Sequence, residues 1–436
     1  MSPLKSVLTF RSATKEGLPG PERLLEQYRS VRRQTELLTA NLSPEDQMVQ
    51  SCAEASPTKW HLAHTSWFFE TFLLSQNLKS YRPFHPQFRS LFNSYYNGIG
   101  PQPEKALRST FSRPSLEEVQ KYRRYIDEHM HNLLDSGELS EAALSLIELG
   151  LNHEQQHQEL LVTDIKHAFW LNPLRPVYQS GAVPRTRKGS APSQKPHTYP
   201  EGLFEIGADD NGFHFDNEAP RHKVFLQAFR FATRPVTCGE YLAFIEDRGY
   251  SRPELWLSDG WNAVNAHGWT APLYWEKSGS DWQQFTCAGM RKLEEHEPVC
   301  HVSYYEADAF ARWAGARLPS EFEWELVASR TKVQGNFLES GSFHPAVAPS
   351  TDDEQPTQIF GDVWEWTTSG YLPYPGFKPA SGALGEYNGK FMVNQMVLRG
   401  GSCVTPATHI RATYRNFFTP ETRWQFSGIR LADDNF

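Results

Sequence analysis

His153 and His157 stand four residues apart in Leu151-Asn152-His153-Glu154-Gln155-Gln156-His157-Gln158-Glu159, and their type and spacing ask for a metal ion. Residues four apart on a helix lie one above the other, so the two imidazoles project from one face and can share a cation. The surrounding stretch, Ser140 to about Phe169, has no Pro and only Gly150 as an interior glycine, which predicts one long helix. For an arbitrary pair of this spacing two solvated histidines are the commoner explanation, and a chelate needs a third donor. A second predicted helix, Trp60 to Leu74, offers His61 and His64. Bundles commonly build metal sites from facing helices, so one of these completes a three-nitrogen face. Spacing alone does not choose between them.

The run His153-Glu154-Gln155-Gln156-His157 also matches the H-E-x-x-H template of zinc proteases, with Glu154 at the general-base position. The extended template wants a glycine and then a further histidine downstream, where this chain has Leu160 and Thr163. No Glu-bearing helix follows before the Pro-rich stretch from Pro173. These absences speak against a protease.

The elements that must position the histidines follow from the rest of the first half. Pro21 starts a helix carrying Leu24, Tyr28, Val31, Thr35 and Leu38 at three-to-four spacing, and Asn41-Leu42-Ser43-Pro44 ends it. Ser115 with Glu118 reads as a capping box opening a helix to about Asp135. With the two histidine helices, this predicts an up-and-down bundle of four. Between Tyr81 and Arg113 lies an irregular loop holding Ser94-Tyr95-Tyr96-Asn97-Gly98. A loop of that length in a compact domain is more often functional than not.

A chain of 436 residues is long enough for two or three domains. The net charge of −8 argues against a general nucleic-acid binder, and the one basic run, Arg185-Thr186-Arg187-Lys188, falls in a stretch expected to be a linker. Met1 to Arg11 holds no apolar run of signal-peptide length and no stretch is apolar enough to span a membrane, so the expectation is a soluble, cytoplasmic protein. Cys52, Cys238, Cys287, Cys300 and Cys403 are scattered and odd in number, the pattern of buried reduced thiols.

From Gln179 to Gly202 the composition turns to Pro, Ser, Gly and basic residues. Beyond it, short β-like runs such as Lys223 to Leu226 and Met396 to Arg399 alternate with turns. Only two helices are predicted there, Cys238 to Arg248 and Ser303 to Gly315. Trp is concentrated in this half, mostly as core filler of an irregular α+β domain. The expected division is a bundle over 1–178, a linker over 179–200 and a second domain over 201–436.

W-H-L-A-H-T-S-W-F-F-E-T-F and H-E-Q-Q-H-Q-E in the first half resemble the DinB-like iron-binding bundle of the ergothioneine-biosynthesis sulfoxide synthases, the EgtB family. The second half resembles that family's C-type-lectin-like domain of the formylglycine-generating (sulfatase-modifying) type. Its marks are Phe215 to Glu218, Arg234 to Tyr241, Ala316 to Glu325, Gly361 to Trp366, Leu398 to Ser402 and Gly428 to Ala432. The resemblance implies a multidomain fold, a DinB-like four-helix bundle followed by an α+β lectin-like domain. It implies iron(II) held by His64, His153 and His157, with His61 as a helix neighbour. Three imidazoles by themselves suit zinc, copper, iron or nickel, with zinc the default in the absence of the resemblance. They leave positions open for a thiolate, an imidazole nitrogen and dioxygen.

The reaction implied joins a thiol to C2 of the imidazole of hercynine, the Nα-trimethylated histidine, and oxidises the sulfur to a sulfoxide with O2. The resemblance further implies a tyrosine hydroxyl that supplies a proton during C–S bond formation, from the second domain in one branch of the family and from a bundle loop in another. Tyr95 and Tyr96 fit the latter, their alternative being interface packing. Gln156 matches a family glutamine facing hercynine, and Asn416 with Phe417 matches an Asn-Trp pair. Phe417 offers an aromatic face to the trimethylammonium group. Mycobacterial-type enzymes that use γ-glutamylcysteine carry an acid where this chain has Phe418 and an arginine where it has Thr422. Without that charged pair the expected thiol is free L-cysteine. Its carboxylate needs a cation, for which Arg108 and Arg113 are candidates.

Formylglycine generation is disfavoured because its two cysteines after the R-G-G-S turn are replaced here, with Thr405 and Ile410 at the expected places and Cys403 alone. A non-catalytic binding module, an ovothiol-type enzyme and a selenium-transferring relative are the remaining alternatives. The ovothiol branch usually adds a methyltransferase domain, which does not appear before Phe436.

Overall fold

The computed structural model describes residues 18–180, 190–209, 211–350, 355–380 and 382–434. The Arg185 to Lys188 run, the Met1 to Arg11 stretch and the Phe436 terminus lie outside the described residues. The chain forms two compact units, Met1–Leu171 with Ala208–Ala219 and Gly376–Lys390, and Asn172–Gly207 with Pro220–Pro375 and Phe391–Phe436.

In the first unit, Pro21 occupies the first turn of α1 (Pro21–Thr39), where its missing N–H costs no hydrogen bond. Leu24, Tyr28, Val31, Thr35 and Leu38 are its buried stripe. α2 (Thr58–Phe69) is buried along its whole length, the signature of a central helix. It continues as a π-helical stretch, Glu70–Leu74. α3 (Leu116–Asp135) opens with the Ser115–Glu118 capping box, both hydrogen bonds present. α4 (Glu141–Leu171) spans 31 residues, about 46 Å of rod at the usual helical rise. α2 packs against α3 and α4, and α1 against the same two. Its single interior glycine, Gly150, sits where α4 meets the rings of Phe68 and Phe69. Short helical turns at Phe88–Leu91 and Lys105–Thr110 break up the Tyr81 to Arg113 loop.

A buried ion cluster ties three of these helices together. Glu154 on α4 is fully buried and accepts from Arg32 of α1 (3.0 Å), Arg123 of α3 (2.9 Å) and the Thr35 hydroxyl (2.7 Å). Arg32 also reaches Asp127 at 2.6 Å.

The second unit is built of short strands. β1 (Pro196–Tyr199), β4 (Phe229–Ala232) and β12 (Ala432–Asp433) form one sheet in the order β1-β4-β12, and β2 (Gly202–Ile206) pairs with β3 (His222–Leu226). β5 (Trp275–Ser278), β6 (Asp281–Thr286) and β7 (Gly289–Lys292) make a meander. β8 (Trp364–Gly370), β9 (Met396–Arg399), β10 (Asn416–Phe418) and β11 (Ser427–Gly428) form a mixed sheet in the order β10-β9-β8-β11. β1 lies within the stretch expected to be a linker.

The two helices expected in this unit are present as α5 (Cys238–Glu246) and α7 (Tyr304–Trp313). Two more were not expected, α6 (Ser258–His267) and α8 (Glu321–Ala328). α8 carries a complete capping box, Ser320 with Glu323. Arg399 with Glu325, Arg415 with Glu321 and Arg430 with Glu365 are buried ion pairs. Arg430 meets Glu365 at 2.7 Å with both side chains fully buried, and the Trp324 indole N–H donates to the same carboxylate at 2.7 Å. Removing one member of such a pair typically costs about 3–5 kcal/mol, because a charge is left buried alone.

Candidate functional site

α2 supplies His64 and α4 supplies His153 and His157, and one ring nitrogen from each lies within 4.8 Å of the other two. Nε2 of His153 and Nε2 of His157 are 3.2 Å apart. Two nitrogens that each stand about 2.1 Å from one ion are separated by about 3 Å, so this spacing suits a shared metal. Nδ1 of His64 donates to the carbonyl of Phe92 at 2.7 Å, which leaves its Nε2 lone pair for the centre. The ring is stacked between Trp60 (4.4 Å, 15°) and Trp67 (5.3 Å, 14°), and His153 packs on Phe68 at 4.8 Å.

Burial pulls all three histidines below their ordinary pKa, His153 to about 4 and the other two well down as well. Neutral imidazole is the ligating form, so the donor set fits a divalent transition metal. Glu154 is not part of it. Although burial opposes ionisation, Arg32 and Arg123 hold its carboxyl down to about 2. Engaged by three partners across the bundle, it is not a general base, and this disposes of the protease template.

A cavity opens beside His153. His153 and Gln156 line it together with Tyr96, Phe215, Asp216 and Tyr387, and every residue of its wall belongs to the first unit. Tyr96 is 4% exposed, with its ring against Trp67 (5.6 Å) and Phe72 (5.2 Å). Burial raises its phenol well above the ordinary value, so it is a protonated hydroxyl at neutral pH. Tyr95 is partly exposed and meets Tyr387 edge to face at 5.9 Å. Glu386 fixes the loop that carries both, accepting from the backbone N–H of Asn97 and of Gly98, each at 2.8 Å.

Of the two candidate arginines, Arg113 is exposed and Arg108 is 4% exposed. Arg108 lies 3.4 Å over the Trp60 ring and donates to the hydroxyls of Ser56 (2.8 Å) and Ser94 (2.9 Å). Burial pulls it down to about 10, an unusual environment for a guanidinium. Asn416, Phe417 and Phe418 lie on β10 of the second unit, paired with β9. Phe417 stacks on Tyr371 at 4.0 Å, and Thr422 is buried against the Thr419 hydroxyl at 3.0 Å.

Sequence reasoning missed two groups of residues here. Phe215, Asp216 and Tyr387 reach the cavity on the excursions Ala208–Ala219 and Gly376–Lys390, which join the helical unit from far along the chain. Asp216 is bridged to the second excursion by the Asn388 amide. His61, set aside as a neighbour, faces His157 with Nδ1 to Nδ1 at 2.8 Å, while its Nε2 meets Asp164 at 3.2 Å. Asp164 lies seven residues after His157, and two helical turns bring it to the same side of α4, a spacing that could have marked it in the sequence.

Residues 27–161 match the DinB superfamily, and residues 182–355 and 356–435 match the sulfatase-modifying factor enzyme 1-like domain. The chain is 34% identical over 312 residues to the hercynine oxygenase of Mycolicibacterium smegmatis, covering 66% of this chain and 71% of that protein. It is 33% identical over 309 residues to the hercynine oxygenase of Mycobacterium tuberculosis, covering 65% and 70%. Similarity to the ergothioneine biosynthesis protein 1 of Schizosaccharomyces pombe is 28% over 233 residues, or 50% of this chain and 27% of that protein. Among the described residues no helix is long and apolar enough to cross a membrane.

Proposed function

We infer the activity from one premise: the chain belongs to the hercynine oxygenase family, an oxidoreductase family. It acts as a sulfoxide synthase of ergothioneine biosynthesis, joining L-cysteine to C2 of the hercynine imidazole with iron(II) as cofactor and O2 as co-substrate. The overall balance needs no further reductant. The thiol S–H and the C2–H bonds break, C–S and S–O bonds form, one oxygen atom enters the sulfoxide and the other leaves as water.

The observation that carries the reading is the juxtaposition of three neutral histidine nitrogens with a cavity at His153. His64, His153 and His157 would hold the iron, which when bound supplies the one-electron and dioxygen chemistry that closed-shell side chains cannot. Gln156 and the aromatic wall orient hercynine, whose trimethylammonium group suits an aromatic surface. Asn416, Phe417 and Phe418 are proposed to contribute to substrate recognition from β10. Tyr96 holds its proton at the phenolic oxygen and delivers it as the C–S bond forms. Tyr95 is its alternate. Arg108 would take the cysteine carboxylate, its guanidinium having neutral hydroxyl partners in Ser56 and Ser94. The thiol assignment rests on Phe418 and Thr422, which offer no charged pair to a glutamyl group.

Oxygen uptake by the iron(II)-loaded protein, with hercynine plus either cysteine or γ-glutamylcysteine and products identified by mass, tests this directly. A sulfoxide formed with cysteine supports the whole reading. Formation with γ-glutamylcysteine alone keeps the enzyme and removes the thiol assignment, and no sulfoxide with either thiol removes the activity.

A further inference from the structure

Asp164, His61 and His157 form one hydrogen-bonded series running from a buried carboxylate to the metal-facing cluster. Asp164 Oδ2 accepts from the backbone N–H of Ser56 at 2.8 Å and faces Nε2 of His61 at 3.2 Å. His61 is 3% exposed and Asp164 7%. A carboxylate oxygen accepts, so the His61 nitrogen facing it is the N–H, and a neutral His61 then presents a bare Nδ1. That bare nitrogen stands 2.8 Å from Nδ1 of His157, which must therefore be the donor. His157 is left with its lone pair on Nε2, 3.2 Å from Nε2 of His153. The reverse arrangement would put a proton on Nε2 of His157, where it would block an ion.

We propose that His61 and Asp164 are positioning residues for the metal centre: together they hold His157 in the Nδ1–H tautomer and aim its Nε2 lone pair at the ion. The inference rests on the metal-centre reading above and deepens it. The two outer histidines of the centre are thus oriented by different devices, His64 by the Phe92 carbonyl and His157 by a histidine that is itself oriented by a carboxylate. Among the described residues Nδ1 of His153 has no hydrogen-bond partner, so its ring is held by packing on Phe68. Loss of such outer partners typically weakens metal binding about 10–100-fold.

The test uses the full chain stripped of metal and titrated with Co(II), reading affinity and the visible d–d absorption. His61→Leu should bind Co(II) about 10–100-fold more weakly than the parent. His61→Gln, whose amide oxygen and nitrogen can accept from His157 and donate to Asp164, should stay within about three-fold and keep the parent spectrum. Equal affinity for parent and His61→Leu overturns the proposal, as does a loss in His61→Gln as large as in His61→Leu. His153→Ala separates the two readings. If the parent binds no Co(II), or His153→Ala binds as tightly as the parent, the metal centre falls and this inference with it; binding that needs His153 but ignores His61→Leu removes the positioning role alone. Should His61→Leu lose its far-UV circular dichroism, ring ¹⁵N spectra of the Zn(II)-loaded parent decide: a protonated Nδ1 on His157 supports the proposal and a bare one overturns it.

Discussion

A Cβ placed on Gly150 would stand 2.6 Å from the edge of the Phe69 ring and 3.0 Å from that of Phe68. Both rings are essentially unexposed and have nowhere to go. Alanine would favour the helix by up to about 1 kcal/mol, but overpacking a tight core costs about 1–3 kcal/mol. Gly150→Ala should therefore lower the denaturant midpoint. Because Phe68 packs on His153, it should also weaken metal uptake. A more stable variant would show that the contact between α4 and α2 yields easily.

Glu154 predicts an acid limb in the stability profile. Its carboxyl is displaced from an ordinary 4.5 to about 2 by Arg32 and Arg123 acting against burial. A depressed folded-state value means that its contribution, about 3 kcal/mol, is complete above about pH 4.5 and disappears as pH falls toward 2. Glu154→Gln should be less stable at neutral pH, and its stability should fall less steeply across that window. Parallel profiles for parent and variant in acid would refute this origin.

Tyr96→Phe should cut sulfoxide formation about 100-fold, the scale of a lost general acid, and divert product toward simple thiol dioxygenation. Tyr95→Phe should change the product ratio by less than about three-fold on the same scale, because Tyr95 is partly exposed and packs against Tyr387. Product analysis by mass spectrometry distinguishes them. The reverse ranking would transfer the role to Tyr95.

Arg108→Lys keeps a charge but loses the planar group lying over Trp60 and the fork to Ser56 and Ser94. KM for cysteine should rise about ten-fold or more, the scale of one charge-assisted hydrogen bond, with KM for hercynine unchanged. Equal rises for both substrates would mean that the stack supports His64 rather than binding a carboxylate.

Local signals carried the bundle a long way. The Ser115–Glu118 box and the His153–His157 spacing depend only on neighbours within a turn, and both elements form where that chemistry places them. The same box at Ser320 and Glu323 opens α8, a start signal as local and as legible as the first. α6 was harder, since Gly260 and two asparagines dilute its pattern and Gly260 is needed against Tyr305. Choosing His64 over His61 was beyond spacing. Both lie on α2, and what separates them is a carbonyl at Phe92 and a carboxylate at Asp164, each supplied from elsewhere in the chain.

Because Ala208–Ala219 and Gly376–Lys390 belong to the helical unit, that unit is not a cassette that a single cut can release. A gene fragment ending near the last bundle helix would encode His64, His153 and His157, yet omit Phe215, Asp216 and Tyr387 from the cavity wall and Glu386 from beneath the tyrosine loop. Transplanting that cavity wall into a relative therefore means moving three separated stretches of coding sequence together.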